Sequence, residues 1–432
     1  MKKFLIFALI LAVAGGAFAQ STTFSGSVGT GLGIRFSDTT DPLQSDPQIT
    51  LWNMGDWASQ LNFNVTGTNA SGTGTVHFGW RFTNFGATTS DSLDFNIRYT
   101  FLDGLLQLVA GRGGPGGFGV GGSFSPSYDV GGGTGVSFIF RNLVDGLQFG
   151  FAIHPGTATY TNFDRNNYSL AVRYTLDGIG TFAAAAQYQF VAGALVSEPN
   201  IPAQRPTATD PGNPNHSAIN AAFGVNLTPL VRDFGLTNLG IDFEIQDALR
   251  QRYFRNVRHD YITLRMSQAV TYVTGDITVG LTARQTMRLY EGTEPANYAP
   301  NLRFTGWVQY AMAPLTPRLD FGFVMGNAPP TTGAGGFRDV GSALPDGIFV
   351  IPVSGANHPN NFATDTPAGK GLMGFALNPS LAWALDRSTL TFGYAMSIDL
   401  SDPLPPIPFA AAPGNPRITF RNQLYVNWTM SF

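Results

Sequence analysis

The last nine residues, Leu424-Tyr425-Val426-Asn427-Trp428-Thr429-Met430-Ser431-Phe432, decide the fold. Leu424, Val426, Trp428, Met430 and Phe432 are apolar, and Tyr425, Asn427, Thr429 and Ser431 stand between them. Successive side chains of a β-strand point to opposite faces, so this is a strand with one greasy and one polar face. Its greasy face meets either a soluble core or lipid, and the rest of the chain has to choose.

The same alternation recurs along the sequence. Val76, Phe78, Trp80 and Phe82 alternate with His77, Gly79 and Arg81. Leu93, Phe95, Ile97, Tyr99 and Phe101 alternate with Asp94, Asn96, Arg98 and Thr100. Comparable runs occupy 168–176, 276–284 and 390–399. About eighteen such segments can be marked, each of roughly nine to eleven residues, the length that crosses a bilayer at a tilt. The segments at 133–140 and 369–385 are the weakest, which leaves 16 strands as the lower count.

The connections sort by length. Short ones fall at 67–72, 103–104, 141–145, 177–178, 228–235, 271–275, 313–317 and 386–387. The Asp-Gly pairs among them suit tight hairpins, where a positive φ is needed. Long ones rich in Gly, Pro, Asp and Asn fall at 37–56, 112–132, 193–215, 327–369 and 401–416. Neighbouring strands that cross a slab run in opposite directions, so alternate connections emerge on the same side. Transmembrane barrels have short periplasmic turns and long outer loops, whereas a soluble sandwich has no cause to sort its loops. A spanning sheet must also close, because hydrocarbon leaves no partner for an edge strand. Trp80, Phe82, Tyr99, Phe101, Tyr174 and Trp428 near strand ends suit the aromatic girdles of the two interfaces.

The N-terminus fits export. Lys2 and Lys3, the apolar run 4–14 and Ala17-Phe18-Ala19 form a secretory signal, so residues 1–19 are expected to be a cleaved signal peptide and 20–432 one barrel domain. No other run is long and apolar enough for a spanning helix. Charged residues are only 12% of the chain, about half the usual share for a soluble domain, while aromatics reach 13% and Gly numbers 52. Cys is absent, which removes disulfides and thiol chemistry. Without Lys2 and Lys3 there remain 23 basic and 28 acidic residues, a mild acidic balance that gives no reason to expect nucleic acid as a partner.

A signal peptide, about eighteen alternating strands and a terminal strand ending in Phe432 resemble the bacterial outer-membrane porins. The resemblance implies an all-β, antiparallel up-and-down barrel in outer-membrane lipid, passive diffusion of small hydrophilic solutes, and a homotrimer as in many of its members. It implies periplasmic chaperones and the barrel-assembly machinery as partners during biogenesis, with Leu424, Val426, Trp428, Met430 and Phe432 as the assembly signal. A local likeness lies at 103–112, a hairpin and strand ending in Gly111-Arg112. In general porins a loop at this place folds into the pore. The corresponding segment, 113–132, carries Phe118, Phe124, Tyr128 and one acid, Asp129, and with Arg112 it is the candidate constriction. It is otherwise mostly Gly, so a plain flexible loop is the alternative.

If the apolar face meets lipid, strand parity assigns the pore lining. The bases are Arg35, Arg81, Arg98, Arg173, Arg265, Arg284, Arg288, Arg303, Arg318 and Arg421. The acids are Asp94, Asp242, Glu244, Asp276, Asp320 and Asp399. Arginine rings favour anions, and five of these Arg lie between 260 and 318, so that wall is expected to be basic. Pairing of Arg with Asp or Glu across strands is the structural alternative. A further cluster, Arg250, Arg252, Arg255, Arg258 and His259, belongs to an outer loop end.

Catalysis finds little support. None of the five His sits in a His-Glu-x-x-His or metal-spaced pattern, and no Gly-x-Ser-x-Gly is present. His154 near Asn162 and Asp164 is the nearest approach to a catalytic constellation. No enzyme activity, metal or cofactor is expected. The rival function is a surface adhesin working through the loop at 327–369. A substrate-specific channel, including one for hydrophobic substrates, is a variant of the first reading.

Overall fold

A computed structural model of the chain describes residues 21–37, 48–53, 60–83, 90–112, 118, 128, 130–131, 134–155, 166–191, 216–246, 261–290, 301–326, 372–399 and 420–432. The signal-peptide segment, the arginine cluster at 250–258 and the suspected adhesin loop lie outside the described residues. So do Phe124, Asp129, Asn162 and Asp164, and the side chains of Arg35, Arg81, Arg288, Arg303 and Arg421.

Nineteen strand segments follow in order: β1 (Ser21–Ser37), β2 (Gln48–Asn53), β3 (Gln60–Thr68), β4 (Gly74–Thr83), β5 (Ser90–Phe101), β6 (Leu106–Arg112), β7 (Thr134–Arg141), β8 (Leu147–Pro155), β9 (Asn166–Leu176) and β10 (Gly180–Val191). Then come β11 (His216–Asn226), β12 (Leu236–Gln246), β13 (Tyr261–Thr274), β14 (Ile277–Tyr290), β15 (Asn301–Tyr310), β16 (Leu315–Gly326), β17 (Leu372–Ala384), β18 (Ser388–Asp399) and β19 (Phe420–Ser431).

From β3 to β19 each strand pairs antiparallel with the next in sequence. Both β2 and β3 pair with β1, β3 along Ser21–Gly29 and β2 along Leu32–Ser37. They are two halves of one stave, so the wall has 18 staves. The stretch 48–53, expected as part of a loop, is strand: its backbone pairs with 32–37 of β1, Ile49 opposite Phe36 and Leu51 opposite Ile34.

The terminal strand closes the barrel. Residues 421–431 of β19 pair with 37–27 of β1, from Ser27↔Ser431 to Ser37↔Arg421. Phe432 extends the seam by exchanging backbone hydrogen bonds with Gly26, at 2.9 and 3.0 Å. Its ring lies where a Cβ on Gly26 would stand, 5.8 Å from the Phe63 ring. Closure leaves no unpaired edge, which a sheet in hydrocarbon requires.

The wall has two faces. On β5, Phe95, Ile97, Tyr99 and Phe101 are exposed while Asn96 is buried; on β9, Leu170, Val172 and Tyr174 are exposed while Ser169 and Ala171 are buried. The convex outer surface is therefore apolar and the inner surface polar. Eight short turns, at 69–73, 102–105, 142–146, 177–179, 227–235, 275–276, 311–314 and 385–387, emerge at the rim that carries both ends of the described chain. The strand ends joined by the other connections, most of them longer, lie at the opposite rim. Among the described residues no helix is long and apolar enough to cross a membrane; the strands do so, in the manner of an outer-membrane barrel.

Candidate functional site: the inner wall

A piece of the 113–133 connection lies inside the barrel. Phe118 and Val130 are fully buried, and they pack with Val109, Ile139, Ala152, Ala171 and Ala185. All five of these wall residues point inward from β6, β7, β8, β9 and β10. Gly150 supplies the seat: a Cβ there would collide with the Val130 methyl and the Phe118 ring. The Gly131 N–H donates to the Ser137 hydroxyl at 3.0 Å.

Two glycines turn the chain inward. Gly111 and Gly135 face each other across the β6–β7 seam, with φ of 127° and 143°. A side chain at either would be strained and would strike the neighbouring strand's backbone. Both ends of the connection thus bend at the same level. Arg112 follows Gly111 at the rim and lies 3.8 Å from Asp94.

Tyr128 carries the loop toward the next part of the wall. It packs on the apolar cluster, with its phenol buried toward Glu244 of β12. The oxygen makes no hydrogen bond of ordinary geometry. Burial first, and then the Glu244 charge, push its pKa well above the usual tyrosine range, while Arg265 opposes them.

Below the apolar cluster, toward the short turns, runs a basic row. Arg141, Gln148 and Arg173 stand side by side through the pairs Arg141↔Gln148 and Gln148↔Arg173. Arg141 donates to Gln107 Oε1 at 2.7 Å. Arg98 sits opposite Val109 on β5, and its guanidinium and that of Arg141 repel each other. Arg98 Nη2 is buried with no hydrogen-bond partner among the described residues. On the inner face of β4–β10, Asp94 is the one carboxylate among the described residues, and it lies at the far rim against Arg112.

The opposite wall is mixed. Arg265 pairs with Glu244 across β12–β13 at 3.5 Å. Arg318 reaches Asp320 Oδ1 through Nε and Nη2 at 2.9 and 2.7 Å, and its guanidinium lies 4.6 Å above the Trp307 ring. Asp242 is buried on the inner face of β12, two residues from Glu244. Two of the five arginines between 260 and 318 are thus tied to carboxylates, so the expected basic wall is partly neutralised and the carboxylate-poor wall is β5–β9. Arg284 stands opposite the position of Arg303. Arg35, Arg81, Arg288 and Arg303 fall at inward register positions. Asp276, expected on the wall, lies in the 275–276 turn.

Sequence reading missed Arg141, which it placed in a turn; the alternation Ser137, Ile139, Arg141 could have found it. It also missed Gln107 and Trp307 as inward groups. Tyr425, recognised as polar-face, is nearly buried and donates to Asn378 Oδ1 at 3.0 Å. His154 is buried with Nδ1 2.8 Å from the Thr134 carbonyl oxygen, a structural contact at the bend beside Gly135. Among the described residues no group of His, Asp or Glu could hold a metal.

No family model and no curated protein matches the sequence. Among solved structures, OprD of Pseudomonas aeruginosa is similar at 11% identity over 96% of each chain, with a TM-score of 0.46. A BenF-like porin from Pseudomonas fluorescens Pf-5 is similar at 10% identity over 96% of this chain and 100% of its own, with a TM-score of 0.46. An anion-selective porin from Comamonas acidovorans is similar at 11% identity over 95% of this chain and 99% of its own, with a TM-score of 0.42. The fold of the present chain stands on its own seams: 18 staves, closed by β1 and β19, apolar outside and polar within, make an outer-membrane-type β-barrel with a loop docked in its lumen.

Proposed function

We propose that this barrel is a non-enzymatic channel for passive diffusion of small hydrophilic solutes, with a mild preference for anions. The observation that carries it is the polar inner wall of a closed 18-stave barrel. Barrels of sixteen to eighteen strands leave an aqueous bore, whereas about eight are filled by side chains. Arg112, Phe118 and Tyr128 belong to the narrowing segment. The pore lining is Arg98, Arg173, Asp242, Glu244, Arg265, Arg284, Arg318 and Asp320, joined by Arg141 and by the positions of Arg35, Arg81, Arg288 and Arg303.

Net preference follows from which charges are already paired. Arg265 and Arg318 have carboxylates beside them, so they contribute little field to a passing ion. Beside Arg98 and Arg141 no carboxylate stands among the described residues of their own stretch of inner wall, and rings of Arg favour anions. The chain is exported through residues 1–19 and assembled through its terminal strand, with a homo-oligomer as its working form.

Liposome swelling tests the diffusion claim. Proteoliposomes placed in isotonic small sugar should swell at rates that fall with solute size. Vesicles that stay as tight as empty ones would defeat it.

A further inference from the structure

The outer face of β13 and β14 breaks the apolar rule twice. Gln268 lies near the middle of β13 and Gln285 near the middle of β14, one rung apart through the pairs Gln268↔Ala283 and Met266↔Gln285. Gln268 shares the parity of exposed Tyr272 and is itself exposed, while its neighbour Ser267 is buried on the inner face. Gln285 shares the parity of exposed Leu281, Met287 and Leu289. No other described outer-face side chain away from the strand ends carries an amide or a charge.

A primary amide offers two donors and one acceptor, and hydrocarbon supplies partners for neither. Among the described residues Gln268 Nε2 reaches only the Met266 thioether at 3.8 Å, a weak acceptor. The Gln285 side chain makes no hydrogen bond among the described residues. Polar side chains at this depth are costly and persist where a protein partner satisfies them. Ala283 leaves a shallow place between the two amides, and Met266 and Met287 flank it with adaptable side chains.

We propose that this face of β13–β14 is where a second copy of the chain packs within the membrane, with Gln268 and Gln285 hydrogen-bonded amide to amide across the contact. Depth and chemistry select that occupant. The apolar belt fixes every copy at one height in the bilayer, so a second copy presents the same amides at the same level. An amide both donates and accepts, so it complements itself; an acyl tail does neither. Copies related by an axis along the membrane normal close into a finite assembly. The proposal assigns a surface to the homo-oligomer and is independent of what the pore conducts.

The chain contains no Cys, so Ala283→Cys introduces a single thiol. Native membranes holding full-length Ala283→Cys, oxidised with copper-phenanthroline, should yield a disulfide-linked dimer of this chain. Ala110→Cys, at an outward position of β6 on the far side of the barrel, should not. In mild detergent the wild-type protein should have an oligomer's mass by light scattering. The Q268L/Q285L variant should fall to a monomer while keeping the heat-modifiable gel migration of a folded barrel. The proposal is overturned by cross-linking no stronger at 283 than at 110, by cross-links only to a different protein, or by a folded double variant of unchanged mass. Should the double variant fail to fold, the two cysteine variants decide.

Discussion

Arg98 and Arg141 illustrate how selectivity depends on neighbours more than on counts. Both are arginines on the inner wall, as Arg265 is, but Arg265 faces Glu244 at 3.5 Å and they face each other. In the R98Q/R141Q variant the reversal potential under a salt gradient should shift toward cations, and Arg265→Gln should shift it less. Equal shifts would mean that the row has no special role. Phe118 is the corresponding residue for the loop. Burial of a large aromatic is worth about 3–5 kcal/mol when truncated to Ala, so Phe118→Ala should undock the loop and give larger, noisier single-channel currents. Tyr128 adds a pH dependence of known sign. Docking raises its pKa, so docking is at full strength below the phenol's ordinary value, about 10, and weakens as pH rises through it. Wild-type currents should become noisier above that pH, and Tyr128→Phe should abolish the change.

At the scale of elements, the terminal strand was legible and the inner loop only partly so. The alternation of 424–432 predicted a closing strand, and β19 pairs with β1 over residues 421–431. Phe432 ends in a place shaped for it by Gly26 and Phe63. Deleting Phe432 should slow assembly, read as loss of the heat-modifiable band, while channels that do form keep their unit conductance. Two strands read weakly for physical reasons. In β7, parity turns Ile139 inward, where it packs on Phe118 and Val130, so Val136 to Phe140 shows little polar relief. In β17, Pro379 has no N–H, and the β17–β18 ladder skips Asn378 and Pro379. The inner loop could be suspected from Gly111-Arg112 and its scattered aromatics. Its docking could not, because the seat is made of small residues, Gly150, Ala152, Ala171 and Ala185, that look like unremarkable strand filler. Parity placed Glu244 and Arg265 on the inner face, but that they stand opposite each other depended on register, which no single strand contains.

For the whole molecule, loop sorting carried the fold. Short turns at one rim and mostly longer connections at the other follow from strands that cross a slab in alternating directions; 227–235 at the first rim is longer than 84–89 at the second, and the remaining strand ends keep to the rule. Closure then makes two surfaces of one sheet, an apolar exterior and a polar bore, from the same period-two pattern. The central claim is that the bore is open to water and ions past the docked loop. Purified protein added to a planar lipid bilayer in salt tests it most directly. The account predicts stepwise insertions, each adding the same ohmic conductance. Folded protein that inserts and leaves the bilayer electrically silent would contradict it.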